Sequence, residues 1–321
     1  MRSLVLGLVL AGAAGCVAHA PLSDQYRGPE ELPIAIVDRF DPPDPILPRG
    51  AASVVLERTK PRLGFTVRRV TLPSNIQQGN RIEFEYYDVD GAQRTPVVIV
   101  LPIFNGQPIV TRYFARYFAS QGWAALAVDR AGDPLDDMGR PNEALRENLL
   151  EYRRVLDWVA EQPELDSDHI GMFGISFGAM DAVMVTALDP RVDALVAAMA
   201  GGDLTYLLMN TNYRPVSRTV NGMMEASGLS REDLKETLDS TFTMDPLTLS
   251  RYVDAERVLM IMTRRDAIVP FEAQEELLSS MGSPEALYLP TGHRTSIVYF
   301  PKVRSSAREF FARHFADSTA N

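Results

Sequence analysis

The residue best placed to do covalent chemistry is Ser176, in Gly174-Ile175-Ser176-Phe177-Gly178. A serine on a sharp strand-to-helix turn takes up strained backbone angles. Strand and helix then pass so close that the positions two before and two after it want no side chain. The context fits, with a short apolar run before the motif and an apolar pattern rich in Ala and Met after it. A helix starting there aims its unpaired N–H groups and the positive end of its dipole at the serine, where an oxyanion would form. A serine hydroxyl is a poor nucleophile at neutral pH unless an imidazole takes its proton, and a carboxylate must then hold that imidazole in one tautomer. The histidines are His19, His169, His293 and His314, scattered without HExxH or other ligand spacing. A single cysteine, Cys16, excludes disulfides within the chain and thiolate metal clusters. These residues imply no metal and no cofactor.

At 321 residues the chain suits one large α/β domain or two small ones, and its 46% hydrophobic and 23% charged residues are ordinary globular values. The formal net charge of −10 argues against nucleic acid, or an anionic membrane surface, as the main partner. Oligomeric state is not legible.

The elements that must position Ser176 follow from hydrophobic patterning. Residues 64–70 and 81–87 alternate like half-exposed antiparallel strands, and Asp90-Gly91 supplies turn chemistry after the second. Residues 96–102 form a continuous apolar run, the pattern of a strand buried on both faces of a parallel sheet. A helix follows near 109–120, ended by Gly122, then a second buried strand at 123–128. Leu145, Leu149, Tyr152, Leu156 and Val159 form one helical stripe between 142 and 161. After the serine turn and its helix come strands at 194–199, 257–262 and 287–289, and an amphipathic helix at 301–315 closes the chain. Such alternation means an open, mostly parallel sheet flanked by helices, with right-handed crossovers. Regularity lapses from about 203 to 253, where 217–226, 231–240 (capped by Ser230) and 246–253 read as short helices. We read this segment as a helical cap inserted between sheet strands. The alternative is a long crossover with no role over the site. The methionines Met199, Met209, Met223, Met224, Met260 and Met262 read as core and cap packing.

Residues 1–16 read as an export signal: a short positive start, then an apolar stretch at 4–14 too short to span a bilayer. Ala13-Ala14-Gly15-Cys16 resembles the bacterial lipobox, which would make Cys16 the lipidated mature N-terminus, although the first position is Ala where Leu is usual. The alternative is cleavage after Ala18-His19-Ala20, with Pro21 a poor residue beyond the scissile bond. Either reading implies export, and the first places the chain at the bacterial cell envelope with a membrane partner through a lipid anchor. The prolines between 21 and 50, including Asp41-Pro42-Pro43-Asp44-Pro45, suit a semi-extended tether over 17–60 ahead of a domain at 61–321. An ordered arm, with Ile34-Ala35-Ile36-Val37 docked on the domain, is the other reading.

With Gly-x-Ser-x-Gly in this setting, residues 62–316 resemble the α/β-hydrolase superfamily. The resemblance implies a Ser, acid, His order. It assigns the acid to Asp266, after the strand at 257–262, and the base to His293, in Gly292-His293 between the last strand and the last helix. Asp203 is an alternative acid and His169 a competing histidine. The resemblance also implies an oxyanion hole made by the backbone N–H of Phe177 and one from Leu101-Pro102-Ile103-Phe104-Asn105-Gly106. In that loop the family's frequent His-Gly is absent, and strand alignment points to Phe104 or Ile103. Asp129-Arg130-Ala131-Gly132 resembles a structural turn of the family. The expected activity is hydrolysis of a small-molecule or lipid-like carboxylic ester through an acyl-enzyme. Peptidase, thioesterase and acyltransferase activities share this residue set, and a catalytically silent binding protein on the same fold is the alternative from another class.

Overall fold

In the computed structural model, residues 16–40, 53–60, 64–74, 81–91, 94–106, 108–129 and 140–317 are described. The apolar leader at 1–15, the proline run at 41–45 and residues 130–132 lie outside them. Among the described residues the strands are β1 (Ala18–Ala20), β2 (Ser53–Lys60), β3 (Phe65–Pro73), β4 (Arg81–Val89), β5 (Thr95–Val100), β6 (Ala124–Val128), β7 (Leu165–Ile175), β8 (Val192–Ala198), β9 (Val258–Thr263) and β10 (Glu285–Leu289). They form one sheet in the order β1-β10-β9-β8-β7-β5-β6-β4-β3-β2. The run from β10 to β6 is parallel, while β4, β3 and β2 continue it antiparallel and β1 closes the other edge antiparallel.

The helices are α1 (Ile34–Phe40), α2 (Pro108–Ser120), α3 (Pro141–Glu161), α4 (Phe177–Leu188), α5 (Leu204–Asn210), α6 (Arg214–Ser227), α7 (Arg231–Thr241), α8 (Pro246–Ser250), α9 (Phe271–Ser280) and α10 (Phe300–Asp317). None of the described helices is long and apolar enough to cross a membrane.

The apolar runs are buried on both faces because helices cover both faces. Val97, Ile99 and Leu101 point into a core with Leu149, Leu156 and Trp158 of α3 and Met184 of α4. Val98 and Val100 point the other way, against Phe114 and Phe118 of α2 and Phe311 of α10. Each such side chain contributes about 1.5–3 kcal/mol on full burial, so a one-residue slip of β5 would exchange its two faces. The segment between β8 and β9 is helical, as patterning predicts, and has a small core of its own around Met209, Val220, Leu234 and Leu238.

The segment predicted as a tether is different. Residues 16–40 lie against the domain: β1 pairs with β10, and Phe40 is 1% exposed within the main core. Tyr26 donates its hydroxyl hydrogen to Asp254 Oδ1 at 3.0 Å and accepts from the Ala255 N–H at 2.9 Å. Strand β2 likewise pairs with β3 ahead of the boundary expected at 61. Proline favours extended backbone, and extended backbone is equally suited to a free spacer and to a strip laid on a surface. The aromatic anchors Tyr26 and Phe40 decide for the second over residues 16–40.

Candidate active site

Ser176 sits between β7 and α4 with φ 57° and ψ −125°, a conformation that a side chain occupies only when its surroundings force it. Its N–H donates to Ala198 O on β8 at 2.8 Å, and its carbonyl accepts from Ala179 and Met180 as α4 begins. The flanking glycines are compulsory here. A Cβ at 174 would stand 2.3 Å from Gly178 O, and one at 178 would stand 2.6 Å from Pro102 O. Strand, helix and the loop after β5 thus meet at van der Waals limits around one serine.

Asp266 lies in the turn after β9 with its carboxylate fully buried. Such a group is tolerated only when each oxygen is met by donors. Oδ1 accepts from the N–H groups of Ile268 (2.9 Å) and Val269 (3.0 Å), and Oδ2 accepts from Thr263 Oγ1 (2.7 Å) and from His293 Nδ1–H (2.8 Å). Behind it, Gln274 of α9 accepts from Thr263 N–H at 3.0 Å and donates to Val269 O at 2.8 Å, which holds both ends of the turn. The His293 loop is laid on the Asp266 turn: Arg264 N–H donates to Leu289 O and Arg265 N–H to Thr291 O, each at 3.0 Å. A Cβ at Gly292 would stand 2.8 Å from Arg265 O, so only glycine allows that approach. With Nδ1 committed to Asp266, the Nε2 of His293 carries the lone pair that can take a proton.

Two cavities meet at Ser176. The first, about 680 Å³ and partly open to solvent, runs beneath the cap and is walled by apolar side chains, among them Leu145, Met180, Leu207, Val216 and Phe242. The second, about 1080 Å³ and also partly open, contains Ser176, His293, Arg294 and Ile297. Phe104, Tyr213 and Ile268 line both, and the Phe104 ring packs edge-on against Phe177 at 6.0 Å and Tyr213 at 5.8 Å. The structure therefore brings Ser176, His293, Asp266, Phe177, Phe104 and Ile103 to one place. Among the described residues, no Asp or Glu lines either cavity.

The alternatives fall elsewhere. Asp203 caps α5, its Oδ1 accepting from Tyr206 N–H at 2.9 Å. His169 pairs with Asp166 at 2.6 Å, early in β7 and at the opposite end of the strand from Ser176. Asp129 binds Arg69 at 2.8 Å, and Arg264 lies over the Tyr288 ring at 4.8 Å, both structural roles. Cys16 is exposed ahead of β1. Patterning did not find Gln274, Tyr213 or the pocket face of α6. Gln274 belongs to no motif, and its only signal is a polar residue on the buried side of a helix that was itself not predicted.

The sheet order, with a strained serine at the end of its central parallel strand, defines a protein of the α/β-hydrolase fold. The chain belongs to the X-Pro dipeptidyl-peptidase (S15) family, whose model matches residues 52–279. Its fold is similar to that of an acetyl xylan esterase from Paenibacillus sp., 17% identical with a TM-score of 0.67, over 88% of this chain and 100% of that one. In sequence it is 21% identical to an acyltransferase of Aspergillus calidoustus over 63% of this chain and 80% of that protein. It is also 33% identical to a polyketide transferase of Penicillium crustosum, but over 32% of this chain and only 33% of that protein's length.

Proposed function

We propose that the chain is a serine hydrolase that cleaves carboxylic esters of apolar acyl groups. Ser176 Oγ attacks the ester carbonyl while His293 Nε2 takes its proton, and Asp266 fixes the ring and stabilises its charged form. The tetrahedral oxyanion is held by the backbone N–H groups of Phe177 and of Phe104 or Ile103. The alcohol leaves with the proton from His293, and water reverses the sequence on the acyl-enzyme. The observation that carries the reading is a left-handed serine shared by an apolar cavity and by a histidine bonded to a buried carboxylate.

The character of the cavities supports ester over dipeptide substrates. Release of an X-Pro dipeptide requires a partner for a free N-terminal ammonium, and among the described residues the cavities are lined by no carboxylate and by one cation, Arg294. Acyl transfer to an acceptor other than water uses the same acyl-enzyme and is favoured by the acyltransferase-like relatives. Export and attachment through Cys16 rest on residues 1–16 alone and belong to the proposal.

The test is hydrolysis of p-nitrophenyl esters of increasing acyl length by the full chain, with Ser176→Ala alongside and X-Pro p-nitroanilides as competitors for the assignment. Turnover is expected to rise by about fourfold per added methylene until the cavity is full, at about 0.8 kcal/mol per buried CH₂, and to vanish in the variant. Equal rates in both proteins, or preference for the anilides, would overturn it. Absence of both turnover and fluorophosphonate labelling would favour a binding protein on this fold.

A further inference from the structure

Half of the large apolar side chains that stand in solvent among the described residues belong to the two segments that line the second cavity. Ile109, Ile297 and Val298 are 72, 62 and 71% exposed. Ile297 lines the second cavity, Val298 follows it, and Ile109 precedes Val110, which lines the same cavity. Burying such side chains in water-free surroundings is favourable, and a rim of them around a reaction pocket marks a contact surface. The rest of the rim is chemically compatible with an apolar partner. No Asp or Glu occurs from 286 to 308, so docking there would desolvate no carboxylate from this segment, while Arg294 and Lys302 flank the exposed pair and can reach headgroups. A net charge of −10 therefore coexists with a segment that carries none of the acidic excess.

The course of the chain points to the occupant. Strand β1 runs antiparallel to β10, with Ala20 opposite Ala286 and Ala18 opposite Tyr288. Going back from Ala18 toward Cys16 leads to the end of β10 that feeds Gly292 and His293. The apolar stretch at 4–14, or an acyl group on Cys16, thus joins the domain at the same end of the sheet as the reaction site.

We propose that the rim of Ile109, Ile297 and Val298 docks the mouth of the site on a lipid surface, so that long acyl chains enter the apolar cavity from the bilayer. The substrate class rests on the hydrolase reading above, whereas the docking does not. The test uses the full chain with Cys16→Ser, which removes the native thiol and any lipid on it, and a nitrobenzoxadiazole probe on Val298→Cys or, as control, on Asp168→Cys at the opposite end of the sheet. With phosphatidylcholine vesicles, emission at 298 should rise and shift to the blue, with no change at 168. Ile109→Ser should weaken the vesicle titration about tenfold, as expected for losing part of one buried aliphatic side chain. Ile109→Ser with Val298→Ser should lower turnover of a vesicle-dispersed ester while leaving a water-soluble acetyl ester unchanged. Unchanged emission at 298, an equal change at 168, or a change that follows protein concentration without vesicles (a second copy covering the rim) would overturn the proposal. If no ester were turned over, the hydrolase reading would fail while the probe still decided the docking.

Discussion

Glu151 offers a quantitative test of the packing behind the site. It lies on α3, the helix that contributes Leu145 to the apolar cavity, and is 7% exposed, with Ser74 Oγ donating to its Oε1 at 3.2 Å. Loss of water raises its pKa from 4.5 to about 7, and the neighbouring Glu147 adds to the rise, while the Ser74 hydrogen bond works against it. The folded-state value therefore lies above the unfolded one. The stability this group contributes is fully present below pH 4.5 and is lost as pH rises through 7. The gap between those values corresponds to about 3 kcal/mol. Glu151→Gln keeps the size and an oxygen for Ser74 but cannot ionise. Urea unfolding followed by tryptophan fluorescence should give similar stabilities for the two proteins near the lower pKa value. Well above the upper one, the variant should be more stable by about 3 kcal/mol, a rise in Tm of roughly 5 °C. An equal difference at both pH values, or a variant less stable at high pH, would refute the argument that desolvation governs this carboxyl.

Asp266→Asn should leave the fold intact and lower kcat by about 10⁴-fold, because an amide selects the wrong imidazole tautomer; steady-state kinetics beside a circular dichroism spectrum check both halves. Gln274→Leu strands Thr263 N–H and Val269 O, so it should cost about 1–3 kcal/mol per unpaired group and depress kcat with little change in KM, as judged by urea titration and initial rates. Val216→Phe places bulk in the cap wall of the apolar cavity, so kcat/KM should fall for long acyl esters, by about fourfold for each methylene displaced, and stay level for acetyl esters.

The parts of the fold that could be read from sequence are those where one physical demand acts alone. Residues of β5, β6, β8 and β9 are buried on both faces, so their runs are apolar throughout and announce parallel strands. The stripe on α3 is equally plain, because one face alone is buried. Ser176 was legible because its turn forbids side chains at 174 and 178, which turns a three-dimensional contact into a spacing. Asp266 and His293 could be assigned only through resemblance, since nothing local distinguishes the carboxylate of Thr263-Arg264-Arg265-Asp266 from a surface charge. Gly292 is the exception: its need to admit Arg265 O is local, but the partner that creates the need lies 27 residues before it.

What escaped the reading depended on partners far away in sequence. Strand β1 is three residues long and exists because β10 offers an edge. Helix α9 has Ala273, Gln274, Leu277 and Leu278 facing inward, and the polar Gln274 at the centre of that face blurs its periodicity. That blemish has a structural cause, because Gln274 is the residue that holds the Asp266 turn. The cap shows the same trade. Leu204, Val216 and Phe242 are spread over three segments whose own core is small, so none looks like part of a pocket until the sheet is placed beneath it. The division has a consequence for specificity. The serine turn and the acid–histidine pair sit at sheet ends whose geometry is dictated by backbone contact and tolerates little change, whereas the wall of the apolar cavity is made of cap side chains that can change one at a time. A wall of that kind can change which substrate fits while the serine turn and the acid–histidine pair stay fixed. The place to look for that shift in this chain is the carboxylate-free lining from α5 to Phe242.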